Sequence, residues 1–299
     1  MDRELLLKGK IIKGIGGFYY VHDGMGNVYE CRAKGIFRNR DEKPLVGDNV
    51  LFSVTDEEKK IGRVDELLPR KNAVIRPAVA NCDQALILVT AAAPAFHPGL
   101  LDRFLLWMEW QEIPTVIGIN KIDLDTENKR SEIEAIYGPA GYPVRCFSCR
   151  TGEGTQELRE ILLGKTTVLA GASGVGKSSL LNCLVPEALM ETGMLSRKLE
   201  RGRHTTRHSE FFFMTEDTYL LDTPGFTSLM APETEEYELK HYFPEFLKPA
   251  ELCRFPDCVH VGEKKCGVKA AVAAGTIPAS RYESYLQVYD ERKNRRRFS

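Results

Sequence analysis

No stretch of this sequence approaches the ~18–20 consecutive apolar residues that a membrane-spanning helix requires, so no membrane partner is expected. The opening "MDRELLLKGK" has only three consecutive leucines and carries acidic residues, which argues against a secretory leader. Neither sign of charge is in excess: 41 Lys+Arg stand against 42 Asp+Glu, a net charge of −1. No global field therefore draws the chain onto nucleic acid, and any RNA binding has to come from local patches. Internal repeats, low-complexity linkers and long coiled-coil heptads are also missing, and a monomer is expected. These absences leave a cytoplasmic protein as the expectation. In that compartment the eight cysteines are reduced, and metal binding is a better use for some of them than a disulfide framework.

What is present suits a globular chain. The 299 residues are 43% apolar and 28% charged, enough for a sizeable core and for two or three domains of roughly 100–150 residues. Residues 1–70 alternate β-branched or aromatic residues with polar ones. "DGMGN" at 23–27 reads as a hairpin turn, and "VGDNVLFSV" and "IGRVDELLP" read as further strands. Four or five short strands in this length predict a small barrel of OB type, and an RNA-binding role competes with mere packing. Residues 71–230 alternate short apolar runs, such as "QALILVTA" at 84–91, with helical patterns such as "GLLDRFLLWMEWQ". That predicts a doubly wound α/β domain with its site at the carboxyl ends of the strands. Residues 231–299 read as mostly helical around a cysteine-rich turn, ending in a basic tail.

The α/β region carries nucleotide-site motifs. "GASGVGKS", running Gly171, Ala172, Ser173, Gly174, Val175, Gly176, Lys177 and Ser178, fits G-x-x-x-x-G-K-S and lies between a strand pattern and a helix pattern that continues through Ser179. Gly171 and Gly176 let the backbone wrap the phosphates, Lys177 reaches the β- and γ-phosphates, and Ser178 offers a hydroxyl to Mg²⁺. "DTPG" at 222–225 follows an apolar strand, so Asp222 can hold Mg²⁺ through water and the Gly225 N–H can meet the γ-phosphate. "NKID" selects the base. Guanine offers N1–H and N2–H₂ side by side, and the acceptor-only carboxylate of Asp123 takes both. Asn120 braces the loop, the Lys121 stem lies along the base, and Ile122 completes the turn. "FSCRTGEG" at 147–154 brings Ser148 and Cys149 to the distance expected of a loop supporting guanine O6. GTP or GDP with Mg²⁺ is therefore the expected ligand.

The order of these motifs is base, base support, P-loop, "DTPG", with "NKID" about fifty residues ahead of the P-loop. A conventional GTPase runs from P-loop to base. The two are one circle cut at different points, and a permutation costs little where domain termini lie close together.

Cys253, Cys258, His260 and Cys266 form C-x4-C-x-H-x5-C within fourteen residues. Three thiolates and an imidazole can make a closed tetrahedral Zn²⁺ site of structural type, the alternative being reduced buried cysteines. Cys146 and Cys149 form a C-x2-C pair with no second pair nearby and are read as non-metal; Cys31, Cys82 and Cys183 are read as small core residues.

A β-domain, a permuted GTPase domain and a cysteine-rich C-terminal segment together resemble the ribosome-small-subunit-dependent GTPase (RsgA) family over essentially the whole chain. "GRHTT" at 202–206 also matches that family's first switch. The resemblance implies an α/β, circularly permuted P-loop GTPase domain (71–230), an N-terminal OB-fold (1–70) and a C-terminal mainly helical zinc domain (231–299) whose ligands fall on the four positions above. It implies a GTP hydrolase that binds the small (30S) ribosomal subunit and its rRNA late in assembly and is stimulated by it. Thr206 is taken from the resemblance as a Mg²⁺ and γ-phosphate contact, with Thr205 not separable from it. Phe226 stands where many GTPases carry a water-orienting glutamine and cannot hydrogen-bond water, so His204 is the candidate catalytic group. Phe226 also supports a second reading, an RNA-binding assembly factor with the nucleotide site as a sensor. A P-loop ATPase or kinase is a third, opposed by Asp123. Five basic residues among the last eight, and others through 34–43 and 197–207, can meet rRNA phosphates or serve as a solvated face.

Overall fold

The computed structural model describes residues 6–35, 37, 43–75, 77–185, 210–215, 217–222 and 229–296. The chain forms two compact units, one of residues 1–85, 156–169 and 177–225, the other of residues 86–155, 170–176 and 226–299.

In the first unit five strands make a barrel: β1 (Leu7–Ile15), β2 (Phe18–His22), β3 (Val28–Ala33), β4 (Asn49–Asp56) and β5 (Ile61–Leu67). They pair in the order β1-β2-β3-β5-β4, and β4 returns to β1. The pair β3–β5 is parallel and the rest antiparallel. This closed five-strand order is the OB-type barrel expected from the alternation. Closure removes the sheet edges and leaves an apolar interior of Ile11, Val21, Tyr29, Cys31, Val50, Phe52 and Val64. The turn between β2 and β3 forms as the glycine spacing predicts. Asp23 Oδ1 accepts from the backbone N–H groups of Met25 and Asn27 at 2.8 and 3.0 Å.

Two short strands, β6 (Ala73–Val74) and β7 (Val79–Ala80), follow as an antiparallel pair. β8 (Gln84–Thr90) begins in this unit, which also carries most of β11 (Thr166–Gly171), β12 (Glu210–Thr215) and β13 (Thr218–Asp222). β13 lies parallel to β11 and antiparallel to β12, and β12 meets barrel strand β1 at Lys13 and Glu210. The parallel pair delivers Asp222 to the carboxyl end of β13, beside Leu169 of β11.

The second unit holds the rest of β8, then β9 (Thr115–Asn120) and β10 (Val144–Cys146), in the order β8-β9-β10. Every residue of β8 and β9 is buried, which explains runs without alternation. Helices α1 (Pro98–Trp110) and α2 (Lys129–Tyr137) belong here, with Pro98 at the first position of α1, where a missing N–H costs nothing. α3 (Thr155–Leu162) starts here and continues in the first unit, which also holds α4 (Lys177–Leu184).

From residue 229 on, the chain makes short helical segments, among them α5 (Leu247–Ala250) and α6 (Gly267–Ala273), and then the long helix α7 (Ala279–Arg296). Leu239, Phe243, Phe246, Val268, Ile277, Tyr285 and Val288 form its core, together with Leu106 of α1. The C-terminal segment is thus mainly helical and packs on α1. Arg103 Nη1 donates to Leu229 O at 2.9 Å and Trp107 Nε1 to Met230 O at 2.7 Å, fixing the start of this segment on α1. Among the described residues, no helix is long and apolar enough to cross a membrane.

Candidate functional site

Three loops of the second unit converge on Asn120. The buried strand β9 ends at this residue, whose side chain is itself buried. Its Nδ2 donates to the Val175 carbonyl at 3.0 Å, and its Oδ1 accepts from the backbone N–H of Lys121 at 2.7 Å and of Cys149 at 3.3 Å. One amide therefore joins the "NKID" loop, the loop after β10 and the P-loop. A carboxylate could not replace it, because two of its bonds are accepted and one is donated. Gly176 has φ +101°, and a Cβ there would overlap Asn120 Nδ2. Gly171 has φ +141° and lies against the Leu88 carbonyl and the Val175 side chain. Both glycines are required by conformation and by space.

Lys121 takes a left-handed conformation, φ 63°, and its Nζ donates to Ala93 O at 2.6 Å and to Gly174 O at 2.9 Å. The ammonium thus ties the P-loop to the loop after β8. Ile122, Asp123 and Leu124 form a single helical turn. Asp123 Oδ1 accepts the Ser148 hydroxyl at 2.5 Å, and Arg150 Nη2 lies 2.6 Å from Oδ2. The Ser148 hydroxyl and then Arg150 hold this carboxylate below the ordinary aspartate range, so it is an anion at neutral pH. Ser148 is buried, and its Oγ also accepts from the backbone N–H of Arg150 and Thr151, each at 3.2 Å, which leaves its own proton for Asp123. An anionic carboxylate held in this way matches a pair of adjacent N–H donors.

The P-loop presents Ser173 and Gly174 exposed, Ala172 and Gly176 half-buried and Val175 buried. The chain continues into the first unit as α4, with Lys177 at its start and Ser178 and Ser179 exposed on its first turn. Burial pulls the Lys177 ammonium below the ordinary lysine range, with the Asp222 carboxylate opposing the drop. A phosphate anion would oppose it further, so the desolvated ammonium suits that ligand. The hydroxyl of Ser178 and the carboxylate of Asp222 are hard oxygen donors of the kind Mg²⁺ takes. His204, Thr205, Thr206, Gly225 and Phe226 lie outside the described residues.

The cysteine-rich turn brings its four residues together. Cys253 Sγ and Cys266 Sγ lie 3.6 and 3.4 Å from His260 Nδ1 and 3.9 Å from each other. The ligand atoms of Cys253, Cys258, His260 and Cys266 all fall within 4.8 Å of one another. Tetrahedral ligands at the ~2.3 Å zinc–sulfur and ~2.0 Å zinc–nitrogen distances stand roughly 3.5–3.8 Å apart, so the cluster has the size of a zinc cage. Burial, then the charge of Lys240, lowers the His260 pKa to about 4, which keeps the imidazole neutral and able to ligate. Backbone N–H groups of Gly267 and Lys269 donate to Cys253 Sγ and Cys266 Sγ, at 3.2 and 3.4 Å. Glu263 accepts from the N–H groups of Val259 and Val261, while Tyr282 and Tyr285 of α7 donate to the carbonyls of His260 and Val259, each at 2.6 Å. The turn is therefore braced from outside, as metal-ligand loops are.

Among the described residues this is the one group of three or more such side chains placed so that it could hold a metal ion. Cys146 donates to Glu134 Oε1 at 3.1 Å, and burial pushes its thiol up to about 12. Cys31 and Cys82 are buried as expected; Cys183 is exposed on α4, so the core assignment fails there. The buried stripe of α4 runs through Leu180, Leu181 and Leu184 instead.

Comparison with known proteins gives the family. The RsgA GTPase family matches residues 67–232, and the RsgA N-terminal domain matches residues 8–61. The chain belongs to the RsgA GTPases. A relative from Agathobacter rectalis, named small ribosomal subunit biogenesis GTPase RsgA, is 50% identical over 98% of this chain and all of its own length. One of the same name from Alkaliphilus metalliredigens is 48% identical over 97% of this chain and 99% of its own. The crystal structure of YjeQ from Thermotoga maritima superposes with a TM-score of 0.79 at 38% identity, covering 96% of this chain and 99% of that one. The structure of YloQ, described as a circularly permuted GTPase, superposes with a TM-score of 0.76 at 37% identity, covering 99% and 98%. The permuted order and the GTP-hydrolysing class are thereby established for this RsgA chain, and a nucleotide site used only as a sensor is not favoured. Sequence reasoning missed Arg150, which lies inside the quoted "FSCRTGEG" but drew no attention as one charge in a loop. It also missed Glu263, whose role rests on two backbone donors that no spacing rule announces.

Proposed function

We propose that this RsgA chain is a GTP hydrolase that binds the small (30S) ribosomal subunit and its rRNA in the cytoplasm, acts late in its maturation as a monomer, and is stimulated by it. The observation that carries the reading is a curated relative, named for small-subunit biogenesis, at 50% identity over 98% of the chain. The fit of the Asn120, Asp123 and Ser148 constellation to guanine supports the nucleotide part. Three domains, 1–70, 71–230 and 231–299, serve RNA binding, GTP hydrolysis and zinc-stabilised docking.

Within this reading Asp123 takes the guanine N–H pair, and Asn120, Lys121, Ile122, Ser148 and Cys149 shape the base pocket. The backbone from Gly171 through Ala172, Ser173, Gly174 and Val175 to Gly176, with Ser179 behind it, turns its N–H groups to the phosphates. Lys177 neutralises charge on the β- and γ-oxygens. Ser178, Asp222 and Thr206 would hold Mg²⁺, which when bound neutralises the same oxygens. The Gly225 N–H meets the γ-phosphate, and His204 orients the attacking water in place of the glutamine that Phe226 replaces.

The test is GTP turnover of the purified chain, alone and with isolated small subunits, with large subunits as control. Small subunits should raise turnover at least about tenfold, and His204→Ala should abolish that gain while GDP affinity holds. Equal turnover with both subunits would overturn the ribosomal part.

Cys253, Cys258, His260 and Cys266 would hold one structural zinc, closed by four protein ligands with no position left for water. Metal analysis should find one zinc per chain. Cys258→Ser should lower that content and the melting temperature together, since cage and core share Phe246 and Tyr285 as neighbours. Full stability without metal would remove zinc from the account.

A further inference from the structure

The two oxygens of Asp123 serve different partners. Oδ1 takes the proton of Ser148 at 2.5 Å, and Oδ2 faces Arg150 Nη2 at 2.6 Å. The Asp123 side chain is only 8% exposed, whereas that of Arg150 is 69% exposed. Ser148 is fixed by its own buried position and by the loop N–H groups it accepts from. Arg150 is fixed only through its backbone, whose N–H donates to Ser148 Oγ at 3.2 Å, so its guanidinium can leave at little packing cost.

Reading guanine takes both carboxylate oxygens, one for N1–H and one for N2–H₂. Oδ1 has a second lone pair beside the Ser148 bond. The Oδ2 position is where Arg150 sits, and a guanidinium at that distance draws on the same negative charge that the base edge needs. We propose that Arg150 is an exchange-determining positioning residue of the guanine site: its guanidinium competes with the guanine edge for Asp123 Oδ2. The inference rests on the reading of Asp123 as the guanine acceptor. Its consequence is kinetic as well as thermodynamic. With the base withdrawn, Oδ2 of this mostly buried carboxylate would lack a partner, which is costly, while Oδ1 keeps the Ser148 bond. Arg150 takes over that oxygen as the base withdraws, which eases release of GDP and holds the site at moderate affinity.

The experiment uses the full chain and GDP as the probe, with affinity and release rate measured for wild type, Arg150→Ala, Arg150→Lys, Asp123→Ala and the Asp123→Ala/Arg150→Ala pair at about 50 and about 500 mM salt. Arg150→Ala should bind GDP roughly three- to fivefold more tightly at low salt, the size of effect an exposed partner gives, and release it more slowly. The gain should shrink at high salt, because screening weakens the competitor, and Arg150→Lys should stay near wild type. In the Asp123→Ala background the Arg150 substitution should change nothing, which is the signature of a direct pair. A matched melting temperature for each variant separates these effects from misfolding. If Asp123→Ala weakens GDP but Arg150→Ala leaves it unchanged or weaker, the competition is wrong and Arg150 only packs on the base. If Asp123→Ala itself leaves GDP affinity unchanged, the underlying assignment of Asp123 falls instead.

Discussion

Asp123→Asn is expected to lower GDP affinity about 100-fold or more and to raise affinity for xanthosine diphosphate above that for GDP. The carboxylate accepts through both oxygens, and an asparagine side chain offers one acceptor and one donor in the same place. Guanine would then face an N–H₂ against an N–H₂. Xanthine carries a carbonyl where guanine carries that amine, so the new donor finds an acceptor. Ser148 still donates to the retained oxygen, since its hydroxyl is held at 2.5 Å from Oδ1 and is aimed by the loop. Adenosine diphosphate should stay weak with the wild type and with Asp123→Asn, because the adenine edge has no N1–H. Competition titrations of the three diphosphates against a fluorescent GDP analogue would measure this. An equal loss for guanine and xanthine nucleotides would mean that the substitution disturbs the loop rather than the recognition.

Arg281→Met should destabilise the unit that joins α1 to the C-terminal helices by about 3–5 kcal/mol, the range for breaking a buried charge network from one side. Arg281, Asp102 and Glu245 are 1%, 2% and 4% exposed. Arg281 Nη1 meets Asp102 Oδ1 at 2.7 Å, while Nε and Nη2 grip the two oxygens of Glu245 at 2.6 and 3.1 Å. Tyr137 adds its hydroxyl to Asp102 Oδ1 at 2.8 Å. Burial works against the guanidinium charge, and Asp102 and then Glu245 outweigh it. A methionine would fill most of the volume but leave two carboxylates buried without their cation. The thermal transition of this unit should fall by roughly 10 °C. Replacing Asp102 and Glu245 by apolar residues as well should recover most of the loss, because the desolvation cost leaves with the charges. A loss below about 1 kcal/mol for the single variant would show that water reaches the network. The network also ties α1, which follows β8, to the segment that follows "DTPG" in the chain.

The nucleotide site was legible early because its chemistry is written in consecutive residues. A phosphate cradle is a run of backbone N–H groups, and the glycines that permit it lie within "GASGVGKS". The order of "NKID" before that run needed no structure to reveal a permuted domain. The Cys/His cluster was legible for a related reason, since its four residues fall within fourteen positions, although the tyrosines that brace it come from α7, 22 and 26 positions beyond the carbonyls they bond. The Cys183 assignment failed because residue type alone does not say which face of an eight-residue helix points inward.

The sequence by itself determined the strand-and-helix alternation, the permuted motif order and the spacing of the Cys/His cluster, because each is a short-range pattern set by backbone period or residue spacing. Only the tertiary structure decided that the Asn120 amide binds three loops at once, that Arg150 stands on Asp123 Oδ2, and that Arg281 reaches Asp102 across 179 positions of chain. The physical reason is that a hydrogen bond or ion pair between distant segments leaves no periodicity in the chain. It exists only once buried strands such as β8 and β9 have fixed where the loops at their ends must meet.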